Sequence, residues 1–442
     1  MERIVILGAA ESGVGAAILA KKQGFDVFVS DGGSIQPAYQ ALLDTYGVAY
    51  ESGGHTAELI LNAHEVIKSP GIPDTAPMVA AVRSAGISVI SEIEFAGRYT
   101  TARMIGITGS NGKTTTTSLI YHILKQAGYN VGLAGNIGRS LALQLAEGAT
   151  FDTYVLELSS FQLDDMFAFR CHVAVLLNIT PDHLDRYAYQ MQRYIDSKLR
   201  ILRNQQPEDT FVYWHEDPIT TAELSRYIPV ATHQSFTELS QPAATAYVAD
   251  GSLTLADGYT ISLTDISIKG KHNVRNAAAA ALAARAVGIS SAALTQGLRT
   301  FQAVEHRLEP VGTFGGVHYI NDSKATNVDA CYYALDAMTT PTILILGGLD
   351  KGNDYDAIRD LVIQKCRGVV FLGVDNSKLE AYFRPLNLPM RSTHSMAACI
   401  AACRDLAHEG DTVLLSPCCA SFDLFTGMAD RGRQFKMLAA QL

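Results

Sequence analysis

The chain has 442 residues, 48% of them hydrophobic and 18% charged, with a formal net charge of −9. That length exceeds one ordinary core and asks for two or three domains, while the composition excludes a disordered chain. The acidic balance excludes sequence-blind nucleic-acid binding, although loop amides and a few placed cations can still hold an anion locally.

Strands and helices alternate along the chain, the pattern of parallel sheets covered by helices. Residues 4–7 read as a strand, followed by a turn at Gly8, a helix to Gln23 and a strand at 26–30; further units run to about residue 97. Residues 1–3 lead straight into that first strand, unlike a signal peptide. A second block opens with a strand at 104–108, a glycine-rich loop and a helix at 113–127, with strands at 153–158 and 173–178 after it. Residues 245–268 read as a short β-rich excursion, turning at Asp250-Gly251 and Asp257-Gly258, before an Ala-rich helix at 274–286. The third block has strands at 317–320, 342–346, 368–372 and 412–415. The expected division is 1–97, 98–302 and 303–442. No apolar run is long enough to span a bilayer. The seven cysteines show no Cys-x-x-Cys pair and no zinc-ligand spacing, so they read as free thiols of a reducing cytoplasm.

The chemistry concentrates where apolar Met104-Ile105-Gly106-Ile107 runs into Thr108-Gly109-Ser110-Asn111-Gly112-Lys113-Thr114-Thr115. Glycines let backbone N–H groups turn inward around phosphate oxygens, and the following helix presents its positive end. Lys113 reaches the outer phosphates and the Thr114 hydroxyl suits Mg²⁺. Gly109, Ser110, Asn111, Gly112, Lys113, Thr114 and Thr115 are therefore ATP-binding candidates. Five residues separate Gly106 from Gly112, where the common pattern has four. Strand, loop, Lys-Thr and helix nevertheless coincide, which a plain strand-to-helix turn does not require.

Glu157, after apolar Thr153-Tyr154-Val155-Leu156, is placed to hold the metal from a neighbouring strand. His183 follows the strand at 173–178, at the sheet edge where ligands gather. Lys198, taken alone, reads as a helix-surface lysine. The turn Gly8-Ala9-Ala10-Glu11-Ser12-Gly13-Val14-Gly15 departs from the dinucleotide fingerprint, because Ala10 fills the second glycine place.

These segments carry a family resemblance. The loop at 108–115, Gly135-Asn136-Ile137-Gly138, Glu157-Leu158-Ser159-Ser160-Phe161-Gln162-Leu163, residues 178–187 and Lys198 resemble the central domain of the Mur ligases. Lys271-His272-Asn273-Val274-Arg275-Asn276-Ala277 resembles their His-Asn-x-x-Asn segment. His306-Arg307-Leu308 and Asn321-Asp322-Ser323-Lys324-Ala325-Thr326-Asn327 resemble the start of their C-terminal domain. The resemblance implies an α/β chain of three domains, in which Rossmann-like N-terminal and C-terminal domains flank a central P-loop mononucleotide-binding domain. It implies a cytoplasmic, monomeric ligase of peptidoglycan synthesis and cell wall biogenesis, serving cell division and cell shape. Its substrates would be small molecules, with ATP and Mg²⁺, no nucleic acid and no membrane insertion.

Within the family, the Glu157 segment and Ser416-Pro417-Cys418-Cys419-Ala420-Ser421-Phe422-Asp423 look most like members that add D-glutamate to UDP-N-acetylmuramoyl-L-alanine through an acyl phosphate, forming ADP. Another Mur or folylpolyglutamate-type ligase with a different amino acid is the alternative. The resemblance makes Lys113, Asn136, Glu157, His183 and Lys198 catalytic. Thr114, Glu157 and His183 would hold metal, joined by Lys198 if CO₂ carbamylates it. Asn273, Asn276, Arg307 and Asp322 would join the ATP site. Ser12, Gly13, Asp31 and Ser69, with Asn136 and His183, would hold the UDP-substrate; Lys324, Thr326, Lys351, Ser421 and Phe422 would hold D-glutamate. Gly32-Gly33 stands where the family often has a basic or hydroxyl pair, which leaves uracil recognition open.

Overall fold

The expected alternation forms, and its strands collect into three sheets. The computed structural model describes residues 2–227, 229–302, 304–350 and 352–442, so Lys351 lies outside the described residues. The first sheet holds β1 (Arg3–Leu7), β2 (Asp26–Asp31), β3 (Ala49–Ser52), β4 (Glu65–Lys68) and β5 (Ser88–Ile90). Its order is β3-β2-β1-β4-β5, all parallel. Val5 and Ile6 point to opposite faces and both are fully buried, as a parallel sheet covered on two sides demands. The order reverses at β1, which opens a ligand crevice beside Gly8.

The second sheet holds β6 (Arg103–Thr108), β7 (Val131–Gly135), β8 (Thr153–Glu157), β9 (Val173–Leu176), β10 (Thr210–Trp214), β11 (Thr232–Phe236), β12 (Ala246–Ala249), β13 (Ser252–Leu255) and β14 (Thr260–Ser262). Its order is β14-β13-β12-β11-β10-β9-β6-β8-β7. The β-rich excursion is thus the edge of this sheet: β12–β14 are antiparallel and join β11 through the single pair Phe236↔Ala246. β6 lies between β8 and β9, so the loop after it again opens at a reversal of strand order. The third sheet runs β15-β16-β20-β17-β18-β19, from β15 (Glu309–Phe314), β16 (Val317–Asn321), β17 (Thr342–Gly347), β18 (Cys366–Leu372), β19 (Met390–Thr393) and β20 (Thr412–Cys418). Its edge pair β15–β16 is antiparallel and the other pairs among the described residues are parallel.

The three sheets make two compact units. One comprises the residues up to Ser267 with Asn273–Phe301; the other comprises Ile268–His272 with Gln302–Leu442. The first two sheets share a unit because buried carboxyl groups tie them together. The short helix Glu92–Gly97 carries two buried carboxylates. Glu92 accepts the Ser140 hydroxyl at 2.8 Å and the Ala142 N–H at 2.6 Å. Glu94 accepts the N–H groups of Phe167, Ala168 and Phe169 at 2.9–3.0 Å. Asp165, also buried, meets Lys68 at 3.1 Å and Arg83 at 2.7 Å. Charged groups are buried only when partnered this way. Among the described residues, no helix is long and apolar enough to cross a membrane.

Candidate active site

β6 ends at Thr108 and the helix Lys113–Gln126 begins four residues after Gly109. Gly112 caps that helix at φ 85°, and a Cβ there would stand 2.4 Å from Asn276 Oδ1. Any side chain would strain the backbone and fill the cradle. The segment after β9 braces the loop from outside. Asn111 N–H donates to Asn178 Oδ1 at 2.9 Å, and Asn178 Nδ2 donates back to Asn111 O at 3.1 Å. Ser110 Oγ donates to Thr180 O at 2.8 Å and accepts the Thr180 N–H at 2.9 Å. Asn178 and Thr180 were visible in the sequence only as flanks of His183; their work as braces was not.

Two lysines close over the loop. Lys113 Nζ donates to Gly109 O and Ser110 O, both at 2.8 Å. Lys198 Nζ donates to Gly109 O at 2.7 Å and lies 4.5 Å from the centre of the Tyr194 ring, one turn earlier on the helix Met191–Leu199. Tyr194 in turn bonds Ser110 Oγ at 3.0 Å. The surface reading of Lys198 is corrected here: it is 1% exposed. Burial, and then the charge of Lys113, push its pKa well below the usual lysine value, against the opposing pull of Asp182 and Asp164.

Glu157 ends β8 and is buried. Its Oε1 accepts Asn136 Nδ2 at 2.9 Å, and its carbonyl accepts the Asn136 N–H at 2.8 Å. Gly135 permits this approach, at φ 97°, because a Cβ would lie 2.2 Å from Glu157 O. Thr114 is buried at the helix start. A hydroxyl and a carboxylate are hard oxygen donors, so Thr114 and Glu157 fit Mg²⁺, and the glycine cradle fits phosphate. His183 adopts φ 51° after Asp182, with Nε2 3.6 Å from Asp182 Oδ2. Its ring meets the edge of Phe161 at 5.2 Å and stays 39% exposed. Asn273 and Asn276 lie one turn apart on the helix Lys271–Ala286, joined by a 3.0 Å bond from Asn276 Nδ2.

The first sheet presents its candidates along the crevice. Ser12 is the second residue of the helix Glu11–Lys22, and a Cβ on Gly13 would lie 1.9 Å from Gly8 O, so that glycine lets the helix approach the turn. Ser69 Oγ donates to Gly8 O at 3.3 Å. Asp31 Oδ2 accepts the Ala9 N–H at 2.6 Å and Oδ1 accepts the Gly33 N–H at 2.8 Å. Arg186, three residues past His183, donates to Gly71 O at 3.2 Å, which ties the His183 segment to the Ser69 loop.

The second unit holds the remaining candidates. Asp322 follows β16 and accepts the Ser416 hydroxyl at 2.9 Å and the Leu308 N–H at 3.1 Å. Burial pushes its pKa up to about 7, against Ser416 and the charge of Arg307. Lys324 N–H donates to His306 O, and Thr326 N–H to Lys324 O. Ser421 is buried and Phe422 is 72% exposed. Arg431, which the sequence reading passed over, joins the Asp322 and Ser421 segments. Its guanidinium is fully buried and donates to Ser323 Oγ, Ser323 O and Cys419 O at 2.8–3.1 Å. A lone arginine in a C-terminal helix gives no motif by which to find it. Glu305, His306 and Glu309 also gather as a metal would require, but Lys436 Nζ stands 2.9 Å from Glu305 and 2.5 Å from Glu309.

Family models match three consecutive segments: the Mur ligase MurD-like N-terminal domain over residues 2–91, the Mur ligase middle domain over 107–284 and the Mur ligase glutamate ligase domain over 306–419. The chain is 54% identical to the UDP-N-acetylmuramoylalanine–D-glutamate ligase of Bacteroides fragilis, over 100% of each. The chain belongs to the Mur ligase family. A Porphyromonas gingivalis protein of the same description is 51% identical over 98% of this chain and 97% of its own. The solved UDP-N-acetylmuramate–alanine ligase of Thermotoga maritima covers 100% of each chain with a TM-score of 0.64 and 17% identity, a likeness of fold. In this Mur ligase the middle-domain match contains the loop, Asn136, Glu157, His183, Lys198, Asn273 and Asn276; the glutamate ligase match stops two residues before Ser421.

Proposed function

We propose that this Mur ligase joins D-glutamate to UDP-N-acetylmuramoyl-L-alanine, consuming ATP and forming ADP, in peptidoglycan precursor synthesis. The observation that carries the chemistry is the convergence of Lys113 and Lys198 on Gly109 O, beside the Glu157–Asn136 pair. The likeness to UDP-N-acetylmuramoylalanine–D-glutamate ligases supports the choice of substrates.

A carboxylate is a poor electrophile until it is phosphorylated, and the acyl phosphate then offers the amine a good leaving group. Attack of one anion on another needs cations at both. Lys113 steadies the outer phosphates over the loop. Mg²⁺, when held by Thr114 and Glu157, would neutralise phosphate charge; His183 and a carbamylated Lys198 would serve a second ion. Asn136 orients the substrate carboxyl group, and Asn273 and Asn276 offer amides to adenine. Arg307 and Asp322 serve the ATP phosphates and ribose. Ser12, Gly13, Asp31 and Ser69 line the UDP site. Lys324, Thr326, Lys351, Ser421 and Phe422 receive D-glutamate. The division of labour follows residues 1–97, 98–302 and 303–442 in that order. We place the enzyme in the cytoplasm as a monomer, acting in cell wall growth, cell shape and division.

The test is phosphate release from ATP with UDP-N-acetylmuramoyl-L-alanine and each amino acid in turn. Release that requires D-glutamate is expected. Release with another amino acid alone would favour a different ligase of the family, and release without any amino acid would leave only an ATPase.

A further inference from the structure

His55 has no part in the roles above. It lies in the turn after β3, exposed, with Nδ1 2.7 Å from Ser30 Oγ. Ser30 gives its one hydroxyl proton to Glu51 Oε1 at 2.7 Å, and Glu51 Oε1 also accepts the Thr56 N–H at 2.9 Å. Burial would raise Glu51, but these hydrogen bonds outweigh it and hold its pKa below the usual value, so it accepts and does not donate. Ser30 Oγ then has only lone pairs to offer the imidazole. In the neutral imidazole Nδ1 then carries the ring proton, and Nε2 is left as a bare acceptor.

That acceptor faces Gly32. A Cβ on Gly32 would stand 3.1 Å from Nε2, so a side chain there would cover it. Glycine at this position leaves the nitrogen uncovered. The strand order places this nitrogen along the crevice. Gly8 and Ser12 lie at the end of β1, Asp31 ends β2, and His55 follows β3, with the strands adjacent in the order β3-β2-β1. A nucleotide with its diphosphate at the helix start runs outward past Asp31 and carries its base to this turn.

We propose that His55 reads the uracil of the UDP-substrate, with Nε2 accepting the N3–H. This rests on the assignment of the first sheet to the UDP moiety. Uracil offers a donor at N3, whereas cytosine offers an acceptor there, so an acceptor-only nitrogen selects uracil. Asp31 shapes the same turn, its two oxygens accepting the backbone amides of Ala9 and Gly33.

The test is calorimetric binding of UDP-N-acetylmuramoyl-L-alanine and of its N3-methyluracil and cytosine counterparts. Wild type should prefer the natural ligand by about tenfold or more, the worth of one such bond. His55→Phe should bind all three alike, and Gly32→Ala, whose methyl group would crowd Nε2, should also lose the preference. Should His55→Phe melt early, Gly32→Ala carries the test. A preference that survives both variants, or that wild type lacks, overturns the role of His55. Failure of wild type to bind the natural ligand overturns the assignment of the first sheet instead.

Discussion

Lys113 and Lys198 aim their ammonium groups at one atom, the carbonyl oxygen of Gly109, at 2.8 and 2.7 Å. Two cations on one acceptor, one of them wholly buried, disfavour each other unless one gives up its proton or gains a negative group. A depressed amine is the form that reacts with CO₂, and the carbamate would turn repulsion into attraction. Lys198→Ala should lower kcat by roughly 10²–10³, the scale for losing one fixed electrostatic group. Added short carboxylic acids should restore part of it. A Lys198→Ala enzyme that is fully active without them would exclude the carbamate.

Glu157→Gln should separate metal binding from folding. The amide oxygen can still accept Asn136 Nδ2, so thermal stability should change little. The lost charge should raise the Mg²⁺ concentration for half-maximal activity by about tenfold or more and lower kcat. Unchanged Mg²⁺ dependence would remove Glu157 from the metal site.

Glu92 sets a pH dependence for the first unit. Burial, aided by Glu11 and opposed by Ser140 and Ala142, pushes its pKa up to about 7. The folded chain therefore holds this proton more tightly than the unfolded chain. The resulting stabilisation is complete below about pH 4.5 and is lost as pH rises through 7, a change of about 3 kcal/mol. Glu92→Gln keeps an acceptor for both donors and never ionises. It should melt several degrees above wild type at pH 8 and close to it at pH 5. Equal melting at both would show that Glu92 titrates normally.

Arg431 should matter to the amino acid more than to ATP. Arg431→Lys keeps the charge but cannot span Ser323 and Cys419 with one planar group. The KM for D-glutamate should rise about tenfold or more, with the KM for ATP little changed. Arg431→Ala should also destabilise the second unit by about 3 kcal/mol, since three acceptors lose a charged donor. Equal effects on both KM values would make Arg431 a general prop.

The loop was legible because strand, glycines, Lys-Thr and helix are contiguous, and β6 and its helix lie within a residue or so of their expected bounds. Glu157 was legible for the same reason, as the charge that ends an apolar run. Lys198 was not legible without the family, because Asp196 and Arg200 beside it describe a solvated helix. Its burial comes from Tyr194 and Gly109, contacts that local spacing cannot reveal. Arg431 and His55 depend on partners far along the chain, Ser323 and Ser30. The tie between the first two sheets was hidden likewise: Glu92 and Glu94 look like ordinary first-turn acids of a short helix, yet each is buried against a segment more than forty residues away.

That tie gives the first unit the character of a caliper. Its two jaws are the crevice beside Gly8, proposed for the diphosphate, and the loop at Gly109, proposed for the phosphate that activates the carboxylate. Glu92, Glu94 and Asp165 lock the opening between them. A sugar nucleotide held at both, as proposed, would be measured by its length: one lacking its alanine would fall short of Lys113, and one carrying an extra residue would overshoot. Selection of the acceptor would need no side chain that recognises alanine.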